Sequence, residues 1–313
     1  MKKNKKRILV ILGIILVLLI GGLGFAGNYF YTLAIDSTSD KSAVFGKTES
    51  NPEHEQAQKD AYAVYESNGG KDIWLTNEDG YRLHGYTLNA KGHRWVIAVH
   101  GYMGQGSDMI ATGNRFYQQG YSVLIPDLRS HGQSEGTAIG MGGWDSDDIV
   151  AWINQIIEKD KDAEIVLYGV SMGASTVMMT TGHELPSNVK VAVEDCGYTS
   201  AWEEFSYQLD ALFGLPSFPA LDAANIVTLL RGGYNLKDVD ALKAVKKSKT
   251  PTLFIHGDAD DFVPTSMVYP LYEAAACEKE LLIMKDAGHA QSSSVDPDTY
   301  WSHVDAFINQ YIK

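Results

Sequence analysis

The chain is 313 residues long, 45% hydrophobic and 21% charged, which excludes wholesale disorder and leaves room for one large domain or two small ones. Its two cysteines, Cys196 and Cys277, exclude a disulfide framework, a cysteine-rich metal site and an N-terminal lipid-attachment cysteine. The net charge of −13 is unevenly spread: five of the 26 basic residues occupy the first seven positions, no acid precedes Asp36, and from Asp36 onward 21 basic residues face 39 acidic ones, a balance of −18 that disfavours nucleic acid and anionic lipid as partners.

Residues 1–31 read as a basic stub followed by a transmembrane helix. Ile8 to Ala26 is an uncharged apolar run of 19 residues. As a helix it is roughly 28 Å long, enough to cross a hydrocarbon core. Tyr29, Phe30 and Tyr31 follow where an aromatic belt would sit. The basic cluster stays cytoplasmic by the positive-inside rule, so the chain after about residue 32 is expected outside the cell membrane. A signal peptide cleaved after the small-x-small site Gly24-Phe25-Ala26 is the alternative, and it would release a secreted protein. Residues 32–71 read as a stalk with a short helix. The stretch 36–55 lacks periodicity, then Ala57, Ala61 and Tyr65 share a helical face before Gly69-Gly70.

From residue 72 to 313, strand and helix patterns alternate. Residues 73–76 and 81–88 form a predicted hairpin around Glu78-Asp79-Gly80. The continuous apolar run 95–100 reads as a strand covered on both faces, 121–126 as a second buried strand, and 165–169, 189–193, 252–257 and 281–286 as four more strands. Helices are expected from Ser107 to Gly120, from about Asp145 with Ile149, Trp152, Ile153, Ile156 and Ile157 inward, and after Asp296-Pro297. This alternation predicts an α/β fold with a doubly wound, mostly parallel sheet in one domain. It breaks between 198 and 247, which reads as a helical cap insertion. Its apolar residues Trp202, Phe205, Tyr207, Leu212, Phe213, Phe218 and Leu221 suggest a pocket wall for a hydrophobic acyl group, or simple packing onto the body.

Gly169-Val170-Ser171-Met172-Gly173 is a G-x-S-x-G between a strand and a helix, a sharp turn that thrusts the serine out above the strand end. The helix start beneath it supplies unpaired N–H groups and the positive end of a dipole. A serine hydroxyl needs a base, and the base needs an acid to set its tautomer. His289 is the best placed of the nine histidines, just after the strand at 281–286. Asp258, Asp260 and Asp261 follow the strand at 252–257 and are the candidate acids. His100-Gly101-Tyr102 closes the strand at 95–100, where the Tyr102 N–H with that of Met172 would hold an oxyanion. His100 itself reads as structural. The chain has no H-E-x-x-H, no phosphate loop and no dinucleotide fingerprint. Asp145, Asp147 and Asp148 read as a charged helix start rather than a cation site.

These motifs resemble the α/β-hydrolase superfamily, and most of all the bacterial serine hydrolases labelled membrane-bound cell-surface hydrolases, related to the prolyl-oligopeptidase-like and acyl-thioesterase-like branches. The resemblance rests on HGY at 100–102, the stretch Asp127 to Gly136, the elbow at 169–173, HGDADDFVP at 256–264 and GH at 288–289. The pattern H-G-x-x-D-x-x-V-P implies that Asp260 is the triad acid. Asp127, Arg129 and His131 are then loop-holding residues, and Ser130 stands where the family has glycine. The resemblance implies an extracytoplasmic serine hydrolase acting on carboxylic esters through Ser171, His289 and Asp260, with neither cofactor nor metal. An acyltransferase on envelope or lipid acceptors and a prolyl-oligopeptidase-like peptidase are the alternatives.

Overall fold

A computed structural model describes residues 2–41 and 52–313. Helix α1 (Lys2–Ala34) comes first, then α2 (Pro52–Ser67). The strands are β1 (Lys71–Thr76), β2 (Arg82–Leu88), β3 (Arg94–Val99), β4 (Ser122–Pro126), β5 (Glu164–Val170), β6 (Val189–Asp195), β7 (Thr252–Gly257) and β8 (Lys279–Met284). They form one sheet in the order β1-β2-β4-β3-β5-β6-β7-β8. β2 pairs antiparallel with both β1 and β4, and the strands from β4 through β8 run parallel. The parallel strands carry nearly unbroken apolar runs because both of their faces are covered.

One face of the sheet packs Ile97, Val99 and Leu167 against α4 (Gly143–Lys159), α5 (Met172–Thr181) and α9 (Val268–Ala274). The other packs Val96, Ala98, Val166 and Tyr168 against α3 (Ile110–Gln118) and α11 (Pro297–Ile308). The expected start of α3 at Ser107 is instead a short 3-10 turn, Gly106–Met109, with α3 opening at Ile110. The α4 stripe Ile149, Trp152, Ile153 and Ile156 is buried, as is Asp148, which accepts a bidentate pair from Arg129 at 3.0 and 2.9 Å.

The break in the alternation holds α6 (Ala201–Phe213), α7 (Ser217–Val227) and α8 (Ala241–Val245), a helical layer beyond the C-terminal ends of the strands. Against it lies the end of α1. Among the described residues, α1 is the one helix long and apolar enough to cross a membrane. It continues eight residues past the apolar run, because tertiary packing covers its last turns: Tyr31 and Ile35 are buried. Residues 32–41, expected as the start of a stalk, therefore differ from that reading and dock on the body. Asp36 bridges Ala138, and Lys41 Nζ donates to the carbonyls of Leu33 and Asp36 at 2.9 and 3.0 Å, closing the C-terminus of α1 with a cation. Of the same expected stalk, 42–51 lies outside the described residues, and its short helix is α2, whose Tyr65 is buried edge-on to Tyr86 of β2 at 6.0 Å.

Candidate active site

Register aligns the ends of the central strands: Val99 lies opposite Gly169, and Gly169 opposite Glu194. Past that edge the chain of β5 turns at Ser171, whose φ of 57° and ψ of −122° place it in a sparsely populated conformation. Holding a residue there costs on the order of 1–3 kcal/mol, which close packing has to over-determine. The packing is visible at the flanking glycines: a Cβ on Gly173 would run into the Val99 carbonyl, and one on Gly169 into the backbone of Gly173. The Ser171 N–H donates to the Asp195 carbonyl at 2.8 Å, fixing the turn. Met172 then opens α5, so its N–H belongs to the first turn, which has no intrahelical acceptor.

His289 sits in the loop between β8 and α10 (Ser292–Val295), the short helix before α11. Its Nε2 is 2.8 Å from Ser171 Oγ, and its Nδ1 is 2.9 Å from Asp260 Oδ2. The other Asp260 oxygen accepts the N–H groups of Phe262 and Val263, both at 3.0 Å. Burial pushes the Asp260 carboxyl up, but hydrogen bonds from His256 and His289 more than reverse this and hold it at about 2. His256 Nε2 lies 2.9 Å from the Val263 carbonyl and 3.3 Å from Asp260 Oδ2. The Phe262 ring packs 4.9 Å from the His289 ring. Asp258 is elsewhere, accepting from the Asp286 N–H at 2.6 Å, and Asp261 is exposed.

His100 is buried and structural. Its Nδ1 lies 2.8 Å from the Gly101 carbonyl, and its Nε2 accepts from the Leu128 N–H at 3.0 Å. Burial, with His131 beside it, holds its imidazole at about 3, so it stays neutral. Asp127 accepts from the Gly106 and Gln133 N–H groups at 2.6 and 2.8 Å and pairs with His84 at 2.7 Å. These groups tie loops together away from Ser171. Tyr102 follows at the end of β3, and its hydroxyl donates to the Ala34 carbonyl of α1 at 2.7 Å.

Ser171 opens into an apolar cavity of about 100 Å³. Of the seven cap residues singled out in the sequence, Phe205, Leu212, Phe213 and Leu221 line it. Trp202 instead stacks under Lys237, the Tyr207 hydroxyl donates to the Asp261 carbonyl, and Phe218 is exposed. Sequence reasoning missed two contributions. Phe30, Leu33 and Ala34 of α1 form part of the wall; an apolar helix that also walls a site carries no local mark of that role. Glu204 of α6 also lines the cavity, and burial raises its carboxyl to about 8. Cys196 lies within 4.8 Å of Asp260 and His289, but burial pushes its thiol up, so it is not a thiolate.

A family model described as serine aminopeptidase, S33, matches residues 90–201. The uncharacterised protein YqkD of Bacillus subtilis (strain 168) is 28% identical over 310 residues, 97% of each chain. Among solved structures, the Pyrococcus furiosus esterase Pf2001 is similar with a TM-score of 0.66 at 23% identity, over 82% of this chain and 94% of its own. A bacterial membrane phospholipase A is similar with a TM-score of 0.59 at 15% identity, over 97% of this chain and 98% of its own.

Proposed function

We propose that this chain, which has the α/β-hydrolase fold, is a membrane-anchored serine hydrolase whose body lies outside the membrane and cleaves carboxylic esters with hydrophobic acyl groups. The observation that carries this reading is the hydrogen-bonded series Asp260, His289, Ser171, with Ser171 lining an apolar cavity. His289 Nε2 takes the proton from Ser171 Oγ as the oxygen attacks the ester carbonyl. The Asp260 carboxylate accepts from Nδ1 and steadies the imidazolium that forms. The developing oxyanion falls to the Tyr102 and Met172 N–H groups. The carbon–oxygen bond to the alcohol breaks, and His289 returns the proton to that alcohol. Water, deprotonated by the same imidazole, then attacks the acyl-enzyme. It releases a carboxylic acid and restores Ser171.

The basic residues before Ile8 and the apolar length of α1 support an anchor with its N-terminus in the cytoplasm. The family description raises aminopeptidase activity as a second reading. An α-amino group needs an anion to hold it, and among the described residues Glu204 is the one carboxyl lining the cavity. With its carboxyl raised to about 8, that residue is mostly uncharged at neutral pH. The cavity therefore favours an acyl chain over a cationic amine.

The test is labelling of the full-length protein with a fluorophosphonate probe. Ser171 is expected to be the modified residue, and Ser171→Ala to abolish both labelling and cleavage of p-nitrophenyl butyrate. An unlabelled Ser171 in folded protein overturns the reading. A panel of amino-acid amides beside the esters separates the aminopeptidase alternative.

A further inference from the structure

The apolar run of α1 ends at Ala26, and the next residue is already against the body. A Cβ on Gly27 would lie 2.5 Å from the Ala223 carbonyl of α7. Three more contacts secure the same two turns. The Phe30 ring meets the Phe213 ring edge-on at 5.4 Å. Arg231 donates to Asn28 Oδ1 at 2.7 Å, and its guanidinium lies 4.4 Å from the Tyr31 ring centre. No length of chain separates the apolar span from the cap.

From Arg7 to Gly27 the helix rises roughly 30 Å, the thickness of a hydrocarbon core. With Arg7 at one boundary, Gly27 lies at the other, and the cap rests on the leaflet surface. The surface of the cap agrees with this placement. Phe218, Ile226, Leu229 and Leu230, on α7 and the turn that extends it, are 74%, 59%, 55% and 78% exposed. Single exposed apolar residues need no explanation, but these four lie on the element packed against α1 and the turn that follows it. The same end of α1 reaches the reaction centre. Phe30, Leu33 and Ala34 wall the cavity that Ser171 also lines, and the Ala34 carbonyl receives the Tyr102 hydroxyl.

We propose that the bilayer supplies the substrate: an ester-linked membrane lipid whose acyl chain passes from the leaflet along α1 into the cavity, with α1 as one wall of the acyl site. This deepens the hydrolase reading and rests on it. The −18 balance beyond Asp36 repels anionic headgroups, so a zwitterionic glycerolipid is the favoured class. Water is consumed, and the products are a fatty acid and the deacylated lipid.

The experiment uses the full chain in nanodiscs of dioleoyl phosphatidylcholine, with two rates read on the same sample: oleate release, and hydrolysis of soluble p-nitrophenyl butyrate. Wild type is expected to release oleate, and Ser171→Ala is expected not to. Leu33→Trp, which fills the cavity from α1, is expected to lower the ratio of the two rates by about tenfold or more. The pair Phe218→Glu and Leu230→Glu changes exposed positions outside the cavity lining, so it tests the seat on the leaflet without a core change. It is expected to lower the same ratio by about fivefold or more. Butyrate hydrolysis without oleate release from wild type, or ratios unchanged in both variants, overturns the inference and leaves the hydrolase reading intact. Loss of both activities in wild type, with Ser171 unlabelled, removes the hydrolase reading and this inference with it.

Discussion

Asp260 keeps its charge because two imidazoles outweigh its burial, and in the proposed mechanism that charge fixes the proton on His289 Nδ1. Asp260→Asn would turn an amide N–H toward that nitrogen and select the wrong tautomer. The expected loss in kcat is on the order of 10⁴, read as butyrate hydrolysis with the fold checked by melting. Glu204 and Glu194 behave in the opposite way. Burial raises both carboxyls from 4.5 to about 8. A carboxyl raised in the fold contributes stability that is full below about pH 4.5 and is lost as pH rises through about 8. Thermal melting should therefore fall between pH 5 and pH 8.5. Glu204→Gln, which removes one of these titrations without changing shape, should make the fall smaller; parallel curves would sink this account. At this scale the sequence showed unevenly. Ser171 stood out because glycines flank it between a strand and a helix. Spacing alone left Asp258, Asp260 and Asp261 equivalent, and only the recurring pattern around Val263-Pro264 singled out one. The cavity role of Glu204 had no local sign, since an acid near a helix start reads as ordinary capping.

Among the elements, the central strands β3, β4, β5 and β7 were legible because each is a short, largely apolar run covered on both faces, while the edge strand β8 is only half-buried. The cap was legible only as an interruption. The true extent of α1 was not, because its final turns are held by partners near residues 102, 213 and 231, far along the chain. Tyr29, Phe30 and Tyr31 carry the composition of a membrane-interface belt whether or not they also pack on a cap. The α1–α7 contact makes a direct prediction. Gly27→Leu should push the helices apart and cost about 1–3 kcal/mol, seen as a lower melting temperature in nanodiscs. Gly22→Leu is the matched control, because a side chain there meets nothing within 4 Å. Equal melting of the two variants would show that α1 is not seated as described.

At the scale of the molecule, charge and packing divide the chain at the same place. The N-terminal basic cluster ends at Arg7, the apolar run ends at Ala26, and the acidic body begins where α1 meets the cap. The proposed orientation puts the C-terminus outside the cell. A Lys313→Cys variant should react with an impermeant maleimide in intact cells; Cys196 is buried and Cys277 half-buried, so wild type supplies the background. Reaction only after permeabilisation would reverse the orientation. The missing spacer also alters how such an enzyme searches. A body on a loose tether tumbles about three axes and presents its opening to the lipid only part of the time. A body fastened through Gly27, Phe30 and Tyr31 turns about the membrane normal alone. For the proposed lipid hydrolase, the orientational entropy of each encounter would be lost once, during folding, and every lateral collision in the leaflet would arrive already aligned.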